Sequence, residues 1–188
     1  MRIYFSHDPD EPRAEVVRRH WLAKPDREDA GFFDPLAWGE ATLAGPPTIR
    51  QFLEDALDHT SATCVLIGPQ TAERRWMHFE IVESIQRRNR IIGVHISGIP
   101  DGKQQTAAPG KNPLEELAIA IADDGASITV LQYRQNAWGK YQDNHGWPLA
   151  NPAPSQKRGK MIRLSSLYRV YDWVADNGPD NFEKWIGL

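Results

Sequence analysis

The sequence predicts an α/β domain in which a mainly parallel sheet lies between layers of helices. Segments with the pattern of strands alternate along the chain with segments that have the periodicity of helices. One strand segment, residues 63–67, is a continuous apolar run, and residues 91–96 are predicted as another buried strand. Such runs are typical of strands buried on both faces of a parallel sheet. The length of 188 residues is that of one domain.

The first part of the chain supplies a strand and two helices. Residues 2–6 alternate and are rich in Ile, Tyr and Phe, which predicts the first strand. Residues 14–22 have apolar positions at helical spacing, and residues 48–57 form one apolar stripe, so both are predicted helices. Residues 30–47 are aromatic and rich in Gly and Pro, which indicates a long ordered loop with room for a short strand.

The second part of the chain continues the alternation. Helices are predicted at residues 76–88, 114–122, 168–175 and 181–186. A strand is predicted at residues 128–133. Residues 135–160 are polar and aromatic, and they match no regular element. In a sheet of this kind, ligands bind outside the carboxyl ends of the strands.

Composition argues against several functional classes. A net charge of -3 gives no reason to expect nucleic acid or a membrane as a partner. One cysteine excludes an intramolecular disulfide and fits the reducing cytoplasm, where we expect the protein to act. The beginning of the chain lacks the pattern of a signal peptide, and no apolar stretch approaches the roughly 18 residues of a membrane span. The six histidines show no metal-binding spacing, so no metal site is expected.

The helix predicted at residues 76–88 contains two residues, Trp76 and Glu80, whose spacing has two possible interpretations. Trp76 and Glu80 are four residues apart, so they are neighbours on the helix surface, away from the apolar arc that includes Met77 and Ile81. In the first interpretation Glu80 is solvated and Trp76 packs under a loop. In the second, the pair belongs to a ligand site. The spacing alone leaves both open.

A resemblance to a known family supports the second interpretation. The run RRWMHFEI at residues 74–81 resembles the Trp-x-x-x-Glu helix of TIR domains, whose glutamate is catalytic in NAD-cleaving members. Six further segments resemble, in the same order, the ThsB family of TIR-like proteins from Thoeris anti-phage systems. They are IYFSH at 3–7, KPDRE at 24–28, GFFD at 31–34, TCVLIG at 63–68, GKNP at 110–113 and YRVYDWV at 168–174.

The resemblance implies a fold and an activity. The expected fold is a TIR-like, flavodoxin-like arrangement of three layers, with residues 1–188 forming a single domain. Residues 135–160 would be a family-specific insertion rich in loops, and residues 161–188 would be C-terminal helices packed on the domain. Members of the family cleave NAD in response to a phage component. They make a signal derived from ADP-ribose, with a cyclic isomer expected here, that activates a ThsA effector. A homo-oligomer is a further expectation.

Chemical requirements then assign roles to particular side chains. Cleavage of the nicotinamide glycosidic bond develops positive charge at the ribose C1′, which the carboxylate of Glu80 can stabilise. NAD is the substrate, and no cofactor is expected. The expected substrate-binding residues are the aromatic walls Trp76 and Trp38, with Phe5 and Phe33 behind them, and Ser6 and His7 at the end of the first strand. Ser6 and His7 can equally be ordinary polar loop residues, and Asp34 is expected to hold its loop through an Asx turn.

Two other functions remain compatible with these residues. A TIR-like scaffold would act by association alone, without catalysis. An enzyme resembling nucleoside deoxyribosyltransferases would also use a carboxylate at a sugar C1′. A dinucleotide fold of the Rossmann type is not expected, because no Gly-x-Gly-x-x-Gly follows the first strand.

Overall fold

The computed structural model describes residues 1–188, which divide into two compact units. The first unit comprises Met1–Lys111 together with Val170–Leu188, and the second comprises Asn112–Arg169. The second unit is therefore inserted in the sequence of the first.

A five-stranded parallel sheet forms the centre of the first unit. Its strands are β1 (Arg2–Ser6), β2 (Glu28–Ala30), β3 (Ala62–Ile67), β4 (Arg90–His95) and β10 (Val170–Asp172). They lie in the order β10-β4-β3-β1-β2, and every pair is parallel. This is the flavodoxin-like order 2-1-3-4-5, with β10 in the fifth place. The predicted fold class is confirmed.

Helices flank this sheet. They are α1 (Ala14–Leu22), α2 (Pro35–Ala44), α3 (Pro46–Leu57), α4 (Arg75–Gln86) and α5 (Gly178–Trp185). The main apolar core joins Trp21 of α1 and Phe182 of α5 to the central strands, with both rings buried. None of the helices has the length and apolar character that a membrane span requires.

The central strand β3 shows why its sequence is apolar throughout. All six of its residues are buried, since β1 and β4 pair with its two edges and side chains leave both faces into the core. Cys64 lies in this strand as a free thiol. Burial raises the pKa of Cys64, which keeps the thiol protonated and unreactive.

An antiparallel sheet forms the second unit. It contains β5 (Leu117–Ile121), β6 (Ser127–Arg134), β7 (Ala137–Lys140), β8 (Gly146–Pro148) and β9 (Met161–Arg163). The order is β7-β6-β5-β9, and β8 also pairs with β6. Residues 135–160, which matched no element in the sequence, therefore include two short strands.

Two predicted helices are wrong. The helix predicted at residues 114–122 is a short 3-10 turn followed by β5, because Leu117, Ile119 and Ile121 alternate and pair with strands on both sides. The helix predicted at residues 168–175 is instead the short strand β10, at the edge of the parallel sheet beside β4, followed by a turn. Both segments contain apolar residues at spacings that fit either period, and pairing with neighbouring strands decides between them.

The loop predicted for residues 30–47 is also wrong in part. It contains α2, which the count of Gly and Pro residues concealed. Asp34 caps this helix by accepting hydrogen bonds from the backbone N–H groups of Leu36 and Ala37, at 2.8 and 3.2 Å. Pro35 occupies the first turn, where its missing N–H costs nothing. The expected structural role of Asp34 is confirmed.

Candidate active site

The candidate site is lined by the segments that follow β1 and β2 together with α2 and α4, and the order of the sheet reverses beside β1. In doubly wound sheets this position creates a crevice for ligands. A partly open cavity occupies this position. Its lining consists of His7, Pro9, Gly31, Phe33, Trp38, Arg74, Arg75, Trp76, Met77 and Glu80.

Helix α4 brings Glu80 to this cavity. Glu80 is only 6% exposed, although it lines the cavity wall. The interpretation of Glu80 as a solvated surface residue is therefore excluded. Its Oε2 accepts a short hydrogen bond from the hydroxyl of Ser6, the last residue of β1. A buried carboxyl group with a fixed partner on a neighbouring strand has a defined orientation.

The surroundings of Glu80 shift its protonation. Burial raises the pKa of Glu80 to about 7, and the hydroxyls of Ser6 and Tyr4 oppose this rise to a smaller extent. Tyr4 is itself fully buried beside Glu80, and the pKa of its phenol is raised by burial first and by the Glu80 charge second. At neutral pH the carboxyl group is therefore present in both protonation states.

Two tryptophans form aromatic walls of the cavity. Trp76 lies one turn before Glu80 on α4, and its ring meets Phe79 edge to face with centroids 5.7 Å apart. Trp38 comes from α2 and stacks on Phe33, with centroids 5.6 Å apart and ring planes 10° apart. Both tryptophans are half-buried and pack against one apolar cluster that includes Leu53.

The floor of the cavity depends on a glycine after β2. Gly31 has φ = +92°, a left-handed conformation, and a Cβ at this position would lie 2.2 Å from the carbonyl oxygen of Phe5. Only glycine allows this approach to β1. The Gly31 carbonyl lies 3.2 Å from Nε2 of His7, whose ring stacks on Phe32 with centroids 4.1 Å apart. The pKa of His7 is lowered by burial, which favours the neutral ring.

Two arginines, Arg74 and Arg75, also line the cavity, and no role is predicted for them from the sequence. Arg74 forms ion pairs with Asp8 and Asp10 of the loop after β1, the second at 3.1 Å. Arg75 is exposed, and its guanidinium lies 4.8 Å from the centre of the Trp76 ring. Positive charge at a helix N-terminus opposes the helix dipole. Two arginines at the start of a helix are therefore unfavourable for the helix itself, and this feature of the sequence could have indicated a role in ligand binding.

The structure brings most of the expected site residues together. Glu80, Trp76, Trp38, Phe33 and His7 all line the cavity. A second cavity is also lined by His7, Phe33 and Trp38, so the two cavities are adjacent.

Phe5 and Ser6 do not line either cavity. Both are fully buried, with Phe5 stacked on Phe182 in the core and Ser6 beneath Glu80. Direct contact of these two residues with a ligand does not fit the structure, because β1 carries them behind the cavity wall. No group of three or more His, Cys, Asp and Glu side chains is placed to hold a metal ion.

The fold and the site together define a class of protein. A flavodoxin-like parallel sheet with a Trp-x-x-x-Glu helix, whose glutamate faces a cavity at the switch point, is the arrangement of a TIR-like domain. Residues 3–101 match the family model described as "Thoeris protein ThsB, TIR-like domain". The chain is also 38% identical over 188 residues to a protein of Bacillus cereus (strain MSX-D12) described as "Putative cyclic ADP-D-ribose synthase ThsB1".

This similarity covers 98% of both chains, so it extends through the second unit as well as the first. The chain therefore belongs to the ThsB family of TIR-like Thoeris proteins.

Proposed function

We propose that this protein cleaves the bond between nicotinamide and the ribose C1′ of NAD and converts the remainder into a cyclic derivative of ADP-ribose. The observation that carries the proposal is the buried carboxyl group of Glu80 in the wall of an aromatic cavity at the switch point. The description of the Bacillus cereus relative names cyclic ADP-D-ribose as the product of that protein.

The proposed chemistry requires one carboxylate. As the glycosidic bond breaks, positive charge develops on the ribose, and the ionised form of Glu80 stabilises it in surroundings of low dielectric. Nicotinamide leaves as a neutral molecule, so no strong acid is required to protonate it. The reaction uses NAD as its substrate and needs neither a metal nor a cofactor.

The aromatic walls are proposed to influence whether the ribosyl cation is attacked by water or by a group of the same molecule. Attack by water gives linear ADP-ribose, whereas attack by a group of the same molecule gives a cyclic product. Cyclisation requires a folded substrate and the exclusion of water. Trp38 and Trp76 offer flat apolar surfaces on which the nicotinamide and adenine rings stack. Arg75 places positive charge at the cavity mouth, where it attracts the diphosphate of NAD.

The product is proposed to act on a ThsA effector in the cytoplasm, with a phage component as the trigger. The only cysteine is a free buried thiol, which is compatible with that reducing compartment. Assembly into a homo-oligomer is part of the proposal. Next to the site, α2 displays Leu36 and Leu43 at 72% and 90% exposure, and large exposed apolar side chains favour association.

The proposal is tested by the products formed from NAD. The purified protein, and extracts of phage-infected cells that express it, are incubated with NAD, and nicotinamide, linear ADP-ribose and cyclic isomers are separated by chromatography. Release of nicotinamide with a cyclic isomer is expected. A protein that leaves NAD intact even in infected cells would indicate a scaffold. Base exchange on deoxynucleosides, with NAD untouched, would indicate a deoxyribosyltransferase.

A further inference from the structure

One buried side chain, that of Ser6, contacts Glu80 but does not line the cavity. Ser6 is fully buried at the carboxyl end of β1. Its Oγ donates a hydrogen bond to Oε2 of Glu80 and lies 2.8 Å from Sδ of Met77, the residue three positions earlier on α4. Glu80 and Met77 line the cavity, and Ser6 does not.

We propose that Ser6 is a positioning residue, whose hydroxyl fixes the orientation of the Glu80 carboxyl group from behind and does not touch the substrate. The proposal rests on the proposed function for its effect on catalysis. The geometry that carries it is the burial of Ser6 and its two partners on one face of α4. Ser6 thus holds Oε2 of Glu80, a residue that lines the cavity, from a position outside the cavity lining.

The two acceptors let Ser6 hold Glu80 in either protonation state. A hydroxyl has one proton to donate and lone pairs that accept. When Glu80 is ionised, Ser6 donates to the carboxylate. When Glu80 is protonated, the carboxyl O–H donates to Oγ, and the Ser6 proton turns to Met77, whose sulfur is a weak acceptor. A carboxyl group that titrates near neutral pH thus keeps one side-chain orientation.

Other groups near Glu80 have to be considered in any test by pH. Tyr4 lies beside it on β1, and its phenol stays neutral because burial raises its pKa. The cavity lining adds His7 from the loop after β1, and Arg74 and Arg75 from the start of α4. The arginines keep their charge across the useful pH range, and His7 is common to wild type and variants.

The test measures the titration of Glu80 directly. Glutamate is labelled with ¹³C at the carboxyl carbon, and the Glu80 signal is assigned by its loss in Glu80→Gln. In Ser6→Ala the pKa of Glu80 should rise by about one pH unit, because a hydrogen bond that favours the ionised form is lost. Ser6→Cys places a weaker hydrogen-bond donor of similar shape beside Glu80 and should raise the pKa of Glu80 by less. This variant replaces Ser6→Ala in the test if the alanine variant does not fold. An unchanged titration in these variants overturns the proposal.

Kinetics give a second, separate readout. At about pH 7, kcat of Ser6→Ala for nicotinamide release should fall about fivefold with the fraction of ionised Glu80, with KM within about twofold of wild type. Ser97→Ala is the matched control, since Ser97 is equally buried, has no hydrogen-bond partner for its hydroxyl, and should leave both values unchanged. A raised KM with unchanged kcat would show that Ser6 contacts substrate. If wild type releases no nicotinamide, the proposed function fails, and the ¹³C titration still decides the role of Ser6.

Discussion

The carboxyl group of Glu80 lies in surroundings that disfavour its charge. It is 6% exposed, and burial raises its pKa from the ordinary value of 4.5 to about 7. A group whose pKa is higher in the folded than in the unfolded chain favours folding only while it is protonated. As the pH rises from about 4.5 to about 7, the unfolded chain releases this proton first, and the folded state loses stability.

Glu80→Gln should therefore stabilise the protein in a way that depends on pH. Near pH 8 the variant is expected to exceed wild type in free energy of unfolding by about 2–3 kcal/mol, since glutamine removes the cost of a buried charge. Near pH 3 the difference should vanish, because Glu80 is then almost fully protonated in both the folded and the unfolded wild type. Urea unfolding at the two pH values measures the difference.

A neighbouring glutamate provides the control for this stability test. Glu83 is similarly buried on α4, but it forms an ion pair with Arg87 one turn later. Glu83→Gln removes an attractive interaction, so no stabilisation near pH 8 is expected from it. A stability gain in Glu80→Gln that is the same at both pH values would contradict the assigned burial cost.

The sequence pointed to Glu80 but not to its surroundings. The spacing of Trp76 and Glu80 placed them together on one helix, and the family resemblance supplied a role. Periodicity within α4 contains no information on the strand that packs against it. The burial of Glu80 and the position of Ser6 beneath it follow from the pairing of β1 with β3, a contact between distant parts of the chain.

At the scale of elements, α2 builds the second aromatic wall. The Asp34 cap fixes where the helix begins, and the start of the helix sets the position of Trp38 one turn later. Trp38 then stacks on Phe33, immediately before the cap. The stability of this helix end and the shape of the cavity are therefore linked.

Loss of the cap should weaken α2 in a measurable way. Asp34→Ala is expected to lower the free energy of unfolding by about 1 kcal/mol, because two backbone N–H groups lose their acceptor. Asp34→Asn keeps a capping oxygen and should stay within about 0.5 kcal/mol of wild type. Urea unfolding of wild type, Asp34→Ala and Asp34→Asn measures these differences in free energy. Equal losses in both variants would assign the effect to the Asp34 charge instead of the cap.

Removal of the Trp38 wall should change the product more than the rate of bond cleavage. Trp38→Ala opens the cavity to water, so the ratio of linear to cyclic ADP-ribose is expected to rise severalfold. Trp38→Phe retains a flat apolar ring and should keep most of the cyclic product. Chromatography of the products from NAD gives the ratio. An unchanged ratio in Trp38→Ala would show that this wall does not control access of water.

The predictions of secondary structure were wrong where the spacing of apolar residues fits both a helix and a strand. β5 and β10 contain apolar residues that suit a helix as well as a strand, and only their pairing in the sheets selects the strand. The prediction for α2 was wrong for a different reason, since the glycine and proline content of the segment suggested a loop. The pair Asp34-Pro35 is a helix-start signal that outweighs that composition.

At the scale of the whole molecule, the order of the parallel sheet determines where the site lies. The order reverses between β1 and β3, and the segments after β1 and β2 line the cavity together with α2 and α4. The alternation of strands and helices predicted a mainly parallel α/β sheet, and the family resemblance implied the flavodoxin-like arrangement. Of the antiparallel sheet only β6 was predicted as a strand, since β5 has spacings that also fit a helix and the short strands β7 and β8 lie among polar residues and a proline.

If the site is completed by assembly, the activity of each molecule should depend on concentration. Nicotinamide release per mole of protein is expected to increase as the protein concentration is raised, and to be low in dilute solution. Leu43→Lys adds charge to an exposed position of α2 outside the cavity lining and should reduce that increase if α2 takes part in association. A constant specific activity over a wide range of concentration would show that one chain suffices.

The central claim is that the Glu80 carboxylate breaks the glycosidic bond of NAD. The most direct measurement compares nicotinamide release by wild type, Glu80→Gln and Glu83→Gln under identical conditions. Both glutamates are buried on α4, but only Glu80 lines the cavity. Glu80→Gln is expected to lose activity by about a hundredfold or more, while Glu83→Gln retains it. Nicotinamide release by Glu80→Gln at the wild-type rate would show that the Glu80 carboxylate does not break the bond.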